Sequence, residues 1–165
     1  MDNDLERIIE LTDLATPYAV TARRYLHQNP ELSEKEVNTQ EFICQKLTDL
    51  GIEYIKMKSG HGVIATIYGK DRTKAVGIRA DIDALPVAEN VDVPFKSIIP
   101  GVMHACGHDV HTAVLLGAAQ VLKTMEKELP ASVKLFFQPS EETIGGAAQM
   151  IAEGCMNNPE VKSVI

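Results

Sequence analysis

Positive charge is scarce in this chain: 16 lysines and arginines stand against 23 aspartates and glutamates, for a net charge of -7. No basic patch is available to displace counterions from phosphates, which excludes nucleic acid as a partner class. Cysteine is scarce too. Cys44, Cys106 and Cys155 are odd in number and widely spaced, unlike a disulfide framework, and imply a reducing compartment. The opening MDNDLERIIE lacks the basic segment and apolar core of a signal peptide, and no apolar run approaches the roughly eighteen residues of a membrane span. The expectation is a cytoplasmic protein that does not contact membrane. Repeats and low-complexity segments are also missing. The 165 residues, 45% hydrophobic and 24% charged, read as one ordinary domain able to bury a core.

Residues 4–28 show helical spacing in Leu5, Ile8, Ile9, Leu11 and Leu14, and again in Ala19, Ala22, Tyr25 and Leu26. Pro17, with Thr16 as cap, predicts a kink or restart, and Asn29-Pro30 predicts the end. Ser33 with Glu36 three residues on predicts a capping box opening a second helix that Gly51 closes. The period then changes. Residues 52–57, 62–68 and 74–78 read as strands, with a polar turn over 69–73. From Arg79 to Val102 the chain is rich in Pro, Asp and Asn and predicts a long functional loop. A helix is expected over 110–128, a strand buried on both faces over 132–137 (SVKLFF), a helix over 144–155 and another strand from Lys162. This order predicts an α/β fold, with a largely parallel or mixed sheet flanked by helices. Ligands of such sheets sit beyond the carboxyl ends of the strands. RADID, QPSEE and HACGHD all follow strands or open a helix, so these three clusters are expected to meet on one edge.

The densest cluster is MHACGHDVHTAVLLGAA, Met103 to Ala119, where His104, Cys106, His108 and His111 fall within eight residues. Thiolate and imidazole suit zinc and its first-row neighbours, and a carboxylate from Glu141 or Glu142 would complete a mixed shell. The bland alternative is a polar loop capping a helix, with Cys106 a small buried hydrophobe. Only Gly107 separates Cys106 from His108. The two could face neighbouring ions more easily than share one, which favours a two-metal hydrolytic centre. Glu141 and Glu142 are adjacent, so their side chains diverge. One can bind metal while the other acts as general base, or both can be a solvated acidic pair near a helix start. Asp81 and Asp83 could orient a metal-bound imidazole or support the bend before Pro86. Asp109 is expected as a helix N-cap, His111 to pack, cap or ligate, His104 to donate a supporting hydrogen bond, and His27 and His61 to be plain surface or core histidines.

Four stretches in order, RRYLHQNPELSEKE (Arg23 to Glu36), GIRADIDALPVAE (Gly77 to Glu89), the Met103–Ala119 run and LFFQPSEE (Leu135 to Glu142), resemble the metal-dependent N-acyl-amino-acid amidohydrolases. This family includes hippurate hydrolase, the indole-3-acetyl-amino-acid hydrolases and N-acetyldiaminopimelate deacetylase, within the aminoacylase-like metallopeptidases. The resemblance implies a zinc-exopeptidase-like catalytic domain that binds two divalent ions (Zn, Mn, Ni or Co) and hydrolyses the amide of a small N-acyl amino acid. It implies Cys106, His108 and Glu142 as metal ligands, Glu141 as general base and Asp81 as support of the metal site. It also implies a longer protein: residues 1–165 match the N-terminal part of the catalytic domain, without the dimerisation domain, the C-terminal part and two further histidine ligands, and no histidine follows His111. The expected state is a homo-oligomer, and the expected activity of the isolated chain weak or nil. The readings from other classes are a non-catalytic remnant that still binds metal and a purely structural α/β module.

Overall fold

The computed structural model describes residues 2–143 and 145–165. Its elements are helices α1 (Asp2–Gln28) and α2 (Val37–Asp49), strands β1 (Glu53–Lys56), β2 (Val63–Ile67) and β3 (Asp71–Asp81), helix α3 (His108–Thr124), strand β4 (Ala131–Gln138), helix α4 (Gly146–Ala152) and strand β5 (Glu160–Val164). The sheet order is β1-β2-β4-β3-β5. Strands β1 with β2 and β2 with β4 are antiparallel, while β3 runs parallel to both β4 and β5. The fold is therefore α/β with a mixed sheet, parallel only on the side that carries RAD and QPSEE.

Strand β4 is the axis of the core. Side chains alternate across a strand, so Val133, Leu135 and Phe137 join Ile43 and Leu47 of α2 and Leu115, Leu116 and Ala119 of α3 on one face. Phe136 points the other way, toward Met150, Cys155 and Val161. Leu135 and Phe137 are fully buried, each worth roughly 1.5–3 kcal/mol of transfer free energy. The charge in SVKLFF falls on the second face. There the buried Lys134 ammonium donates to the carbonyls of Cys155 (2.8 Å) and Asn157 (2.5 Å), and its desolvation lowers its pKa.

Several boundaries differ from the sequence reading. Helix α1 runs through Pro17 without restarting. Pro17 is exposed, so the carbonyl that loses its donor can face water, and Thr16 caps nothing, donating instead to the Thr12 carbonyl at 2.8 Å. Only the second half of α1 is well packed: Ala22 and Leu26 are buried while Leu5 and Leu14 are exposed. Residues 71–73 begin β3 instead of forming a turn, and β3 continues through Asp81, so the long loop starts at Ile82. Helix α3 begins two residues early, at His108, and α4 is confined to 146–152; of its expected start, Ile144 lies outside the described residues. The capping box does not form. Glu36 is the N-cap of α2 by position but makes no capping hydrogen bond.

Candidate metal centre

Parallel pairing brings the candidate residues together. Asp81, the last residue of β3, is in register with Gln138, the last of β4, so both chains leave the sheet at one edge. The Ile82 N–H donates to the Gln138 carbonyl (3.0 Å), and the Thr112 hydroxyl of α3 donates to the Asp81 carbonyl (2.9 Å), which docks the first turn of α3 over that edge. Gly107 precedes the helix with φ 86 in the left-handed region, a conformation that glycine adopts without strain. This turn sets the exposed Cys106 and the buried His108 on one site. Gly146 serves the other side: a Cβ there would come within 2.1 Å of the Pro139 carbonyl oxygen, so the chain after the glutamates folds back tightly only with glycine.

Asp83 is the acceptor on which the site converges. Its buried carboxylate lies 3.2 Å from His108 Nδ1 and accepts the Ser33 hydroxyl at 2.7 Å and the Glu142 backbone N–H at 3.0 Å. Its carbonyl oxygen is 2.9 Å from the same ring nitrogen. Burial alone would raise the Asp83 pKa, but the bonds from His108, Ser33 and the Glu142 amide together hold it down to about 2. Burial likewise works against a charged His108, but the Asp83 bond and the Asp81 charge outweigh it and its pKa is raised. With Nδ1 engaged, Nε2 is directed to the open side, 4.0 Å from Asp81 and 3.9 Å from Glu142 Oε1.

Ligand atoms of Cys106, His108 and Glu142 all lie within 4.8 Å of one another, as do those of Asp81, His108 and His111. Glu142 Oε1 is buried without a hydrogen-bond partner among the described residues. The adjoining Glu142 carboxylate is the chief cause that raises the thiol pKa, followed by burial and the Glu141 and Asp81 charges. An uncommitted thiol, imidazole nitrogen and carboxylate converging on one space is a donor set that fits a divalent cation. Glu141 is exposed beside this group. Asp81 is engaged by Arg79 and sits 3.5 Å from His111 Nδ1, and His111 stacks on His108 with ring centroids 5.4 Å apart.

The other histidines divide differently from the sequence reading. His104 is buried, with neither ring nitrogen hydrogen-bonded among the described residues, and burial pushes its pKa down to about 4; it donates no supporting bond. Asp109 is not the N-cap. It is buried, 2.8 Å from both His27 Nδ1 and Arg23 Nε, while His27 Nε2 faces Glu89 at 3.0 Å. His27 is therefore a buried clip between α1, the long loop and α3. Its four-residue spacing from Arg23 on one helix face was the available signal. His61, in the turn before β2, is half-buried. The resemblance singles out Asp81, whereas Asp83 is the one that meets His108 Nδ1; two alternating aspartates in a sequence do not show which faces the imidazole.

Residues 77–165 match the family described as peptidase family M20/M25/M40. The chain belongs to that family. It is 47% identical over 132 residues to N-acetyl-L-cysteine deacetylase of Bacillus subtilis, covering 80% of this chain and 32% of that protein. It is 45% identical over 146 residues to thermostable carboxypeptidase 1 of Saccharolobus solfataricus, covering 85% and 36%. Among solved structures it superposes on the Bacillus subtilis YXEP protein, described as a dinuclear metal-binding peptidase of the M20 family, with a TM-score of 0.86 and 40% identity over 92% of this chain and 42% of that one. This M20 chain thus spans between about a third and two fifths of the length of these relatives. Among its described residues no helix is long and apolar enough to cross a membrane.

Proposed function

We propose that this M20 chain is the N-terminal part of the catalytic domain of a metal-dependent amidohydrolase that cleaves small N-acyl amino acids and assembles as a homo-oligomer in the cytoplasm. The observation that carries the reading is the convergence of Cys106, His108 and Glu142, with His108 Nδ1 held by Asp83 so that Nε2 is presented to the other two. These three residues would hold the divalent ions, two in the complete protein, drawn from zinc, manganese, nickel or cobalt. When bound, the ions supply an acidified water and polarise the amide carbonyl.

The remaining chemistry belongs to the chain. Glu141, exposed beside Glu142, takes the proton of the attacking water and returns it to the leaving nitrogen as general base and then acid. Asp81 lies on the Nε2 side of His108 and supports positive charge collected there, while Asp83 on the Nδ1 side keeps the imidazole oriented. The second reading is a metal-binding remnant or structural α/β module without turnover, and residues 1–165 by themselves are expected to be a weak or inactive catalyst.

The test is elemental analysis of protein equilibrated with zinc, manganese, nickel or cobalt, run alongside amino acid release from hippurate and N-acetyl amino acids. Bound metal that is lost in Cys106→Ala and Glu142→Ala, with any turnover abolished by Glu141→Gln, supports the amidohydrolase. Bound metal without turnover, from this chain and from one extended to its relatives' length, leaves the remnant. If wild type and both alanine variants retain equally little metal, the centre is refuted.

A further inference from the structure

Glu36 does not cap its helix, whose Asn38 and Thr39 N–H groups donate to the Glu31 carboxylate instead, and it serves another part of the molecule. Its residue is fully buried, and Oε1 accepts the Ser140 backbone N–H at 2.8 Å and lies 3.2 Å from the Ser140 hydroxyl oxygen. That hydroxyl oxygen also accepts the Glu34 N–H at 2.9 Å. Ser140 needs such support: its φ of 53 puts a non-glycine residue in the left-handed region, which persists only when the surroundings over-determine it. Its carbonyl closes the turn containing the glutamates by accepting the N–H groups of Gly145 (3.0 Å) and Gly146 (3.3 Å). The far side of the pair is held by the Glu142 N–H bond to Asp83, whose second donor is Ser33. The four-residue segment Ser33–Glu36 thus holds Ser140 directly, across more than a hundred residues of sequence, and reaches the Glu142 side through Asp83.

Burying a carboxyl is expensive, and desolvation raises the Glu36 pKa. If Glu36 served packing alone, an apolar side chain would fill the space at lower cost. We propose that Glu36 is a positioning residue for the glutamate pair: through Ser140 it fixes the left-handed backbone turn that presents Glu141 and Glu142 to the site. Its consequence for metal rests on the reading of Glu142 as a ligand; its consequence for the backbone does not.

The experiment therefore has two arms, both on the full 165-residue chain. The first measures amide hydrogen exchange of Ser140 and Glu142 in metal-free protein. Glu36→Met, which keeps the bulk and removes the acceptor, is expected to speed both amides by about tenfold or more while Val133–Phe137 stay protected. Glu36→Gln, whose amide oxygen can accept the same N–H, is expected to restore wild-type protection. The second arm titrates Co2+ and follows the thiolate-to-cobalt absorption of Cys106. Glu36→Met is expected to weaken binding by about tenfold and Glu36→Gln to leave it within about threefold. If Glu36→Met does not fold, Ser140→Ala, which removes only the hydroxyl contacts, is expected to shift both readouts in the same direction by less. Wild-type exchange in Glu36→Met, or a loss spread evenly through β4 that Glu36→Gln does not repair, overturns the proposal. A wild-type chain that takes up no cobalt refutes the metal reading, and the exchange arm then decides on Glu36 alone.

Discussion

Two neighbouring residues in the first turn of α3 enter two kinds of histidine–carboxylate cluster. Asp109 belongs to the closed one: His27 has a carboxylate oxygen at each ring nitrogen, 2.8 Å and 3.0 Å away, and Arg23 covers the same Asp109 oxygen. His108 belongs to the open one: Asp83 meets Nδ1, but the carboxylates nearest Nε2 stand off at 3.9 Å and 4.0 Å, beyond hydrogen-bond reach. Both histidines are buried and both are surrounded by acids. What separates them is the second nitrogen. Where it is satisfied the cluster is a clip; where it faces a gap with an unpartnered carboxylate and a thiol, the cluster can accept a cation.

The largest effect is expected from breaking the closed cluster. Asp109→Ala would leave Arg23 and His27 without their shared partner, and breaking a buried pair in this way costs about 3–5 kcal/mol; urea unfolding should show a correspondingly lower midpoint with an unchanged slope. In the open cluster, Asp83→Asn should weaken metal binding by about tenfold to a hundredfold and remove part of the acid limb of stability. The sign follows from the depressed pKa of about 2: the stabilisation from ionised Asp83 is present above the ordinary aspartate range and lost as pH falls toward 2. It is worth about 2 kcal/mol, so unfolding between pH 5 and pH 2 should depend less on pH in the variant than in wild type. Next in size, Glu142→Gln should reduce metal affinity by roughly tenfold while shifting stability by less than about 1 kcal/mol, because Oε1 has no hydrogen bond to lose among the described residues. Calorimetry on apo and metal-loaded protein separates these two outcomes. The smallest change is expected for the half-exposed His111, where alanine should shift stability within about 0.5 kcal/mol. A larger loss of metal affinity there would extend the open cluster to the group of Asp81, His108 and His111.

Much of the architecture was legible because it rests on local periodicity. The run SVKLFF reads as a strand buried on both faces, and Val133, Leu135 and Phe137 against Phe136 fill two opposite cores. The placement of RAD and PSEE at strand ends and of HACGH at a helix N-terminus also followed from sequence, since in parallel strands polar residues that leave together share an edge. The caps expected at Ser33 and Asp109 failed because these side chains, with Glu36, have remote partners. Ser33 and Glu36 have the spacing of a capping box, but their hydrogen bonds go to Asp83 and Ser140, 50 and 104 residues away. Asp109 has the look of an N-cap and pairs with His27 across 82 residues. A helix cap supplies only one local hydrogen bond, and a buried long-range network that satisfies several groups at once outweighs it.

By itself the sequence determined which segments become helix or strand and which residue types are available for metal and proton chemistry, because periodicity and donor type are properties of the residues themselves. Only the tertiary structure decided which aspartate holds His108, which carboxyl fixes the glutamate turn and which histidine is sealed. Each of those assignments depends on a few ångströms between atoms brought together by the sheet, and on whether burial leaves a polar group with a partner or without one.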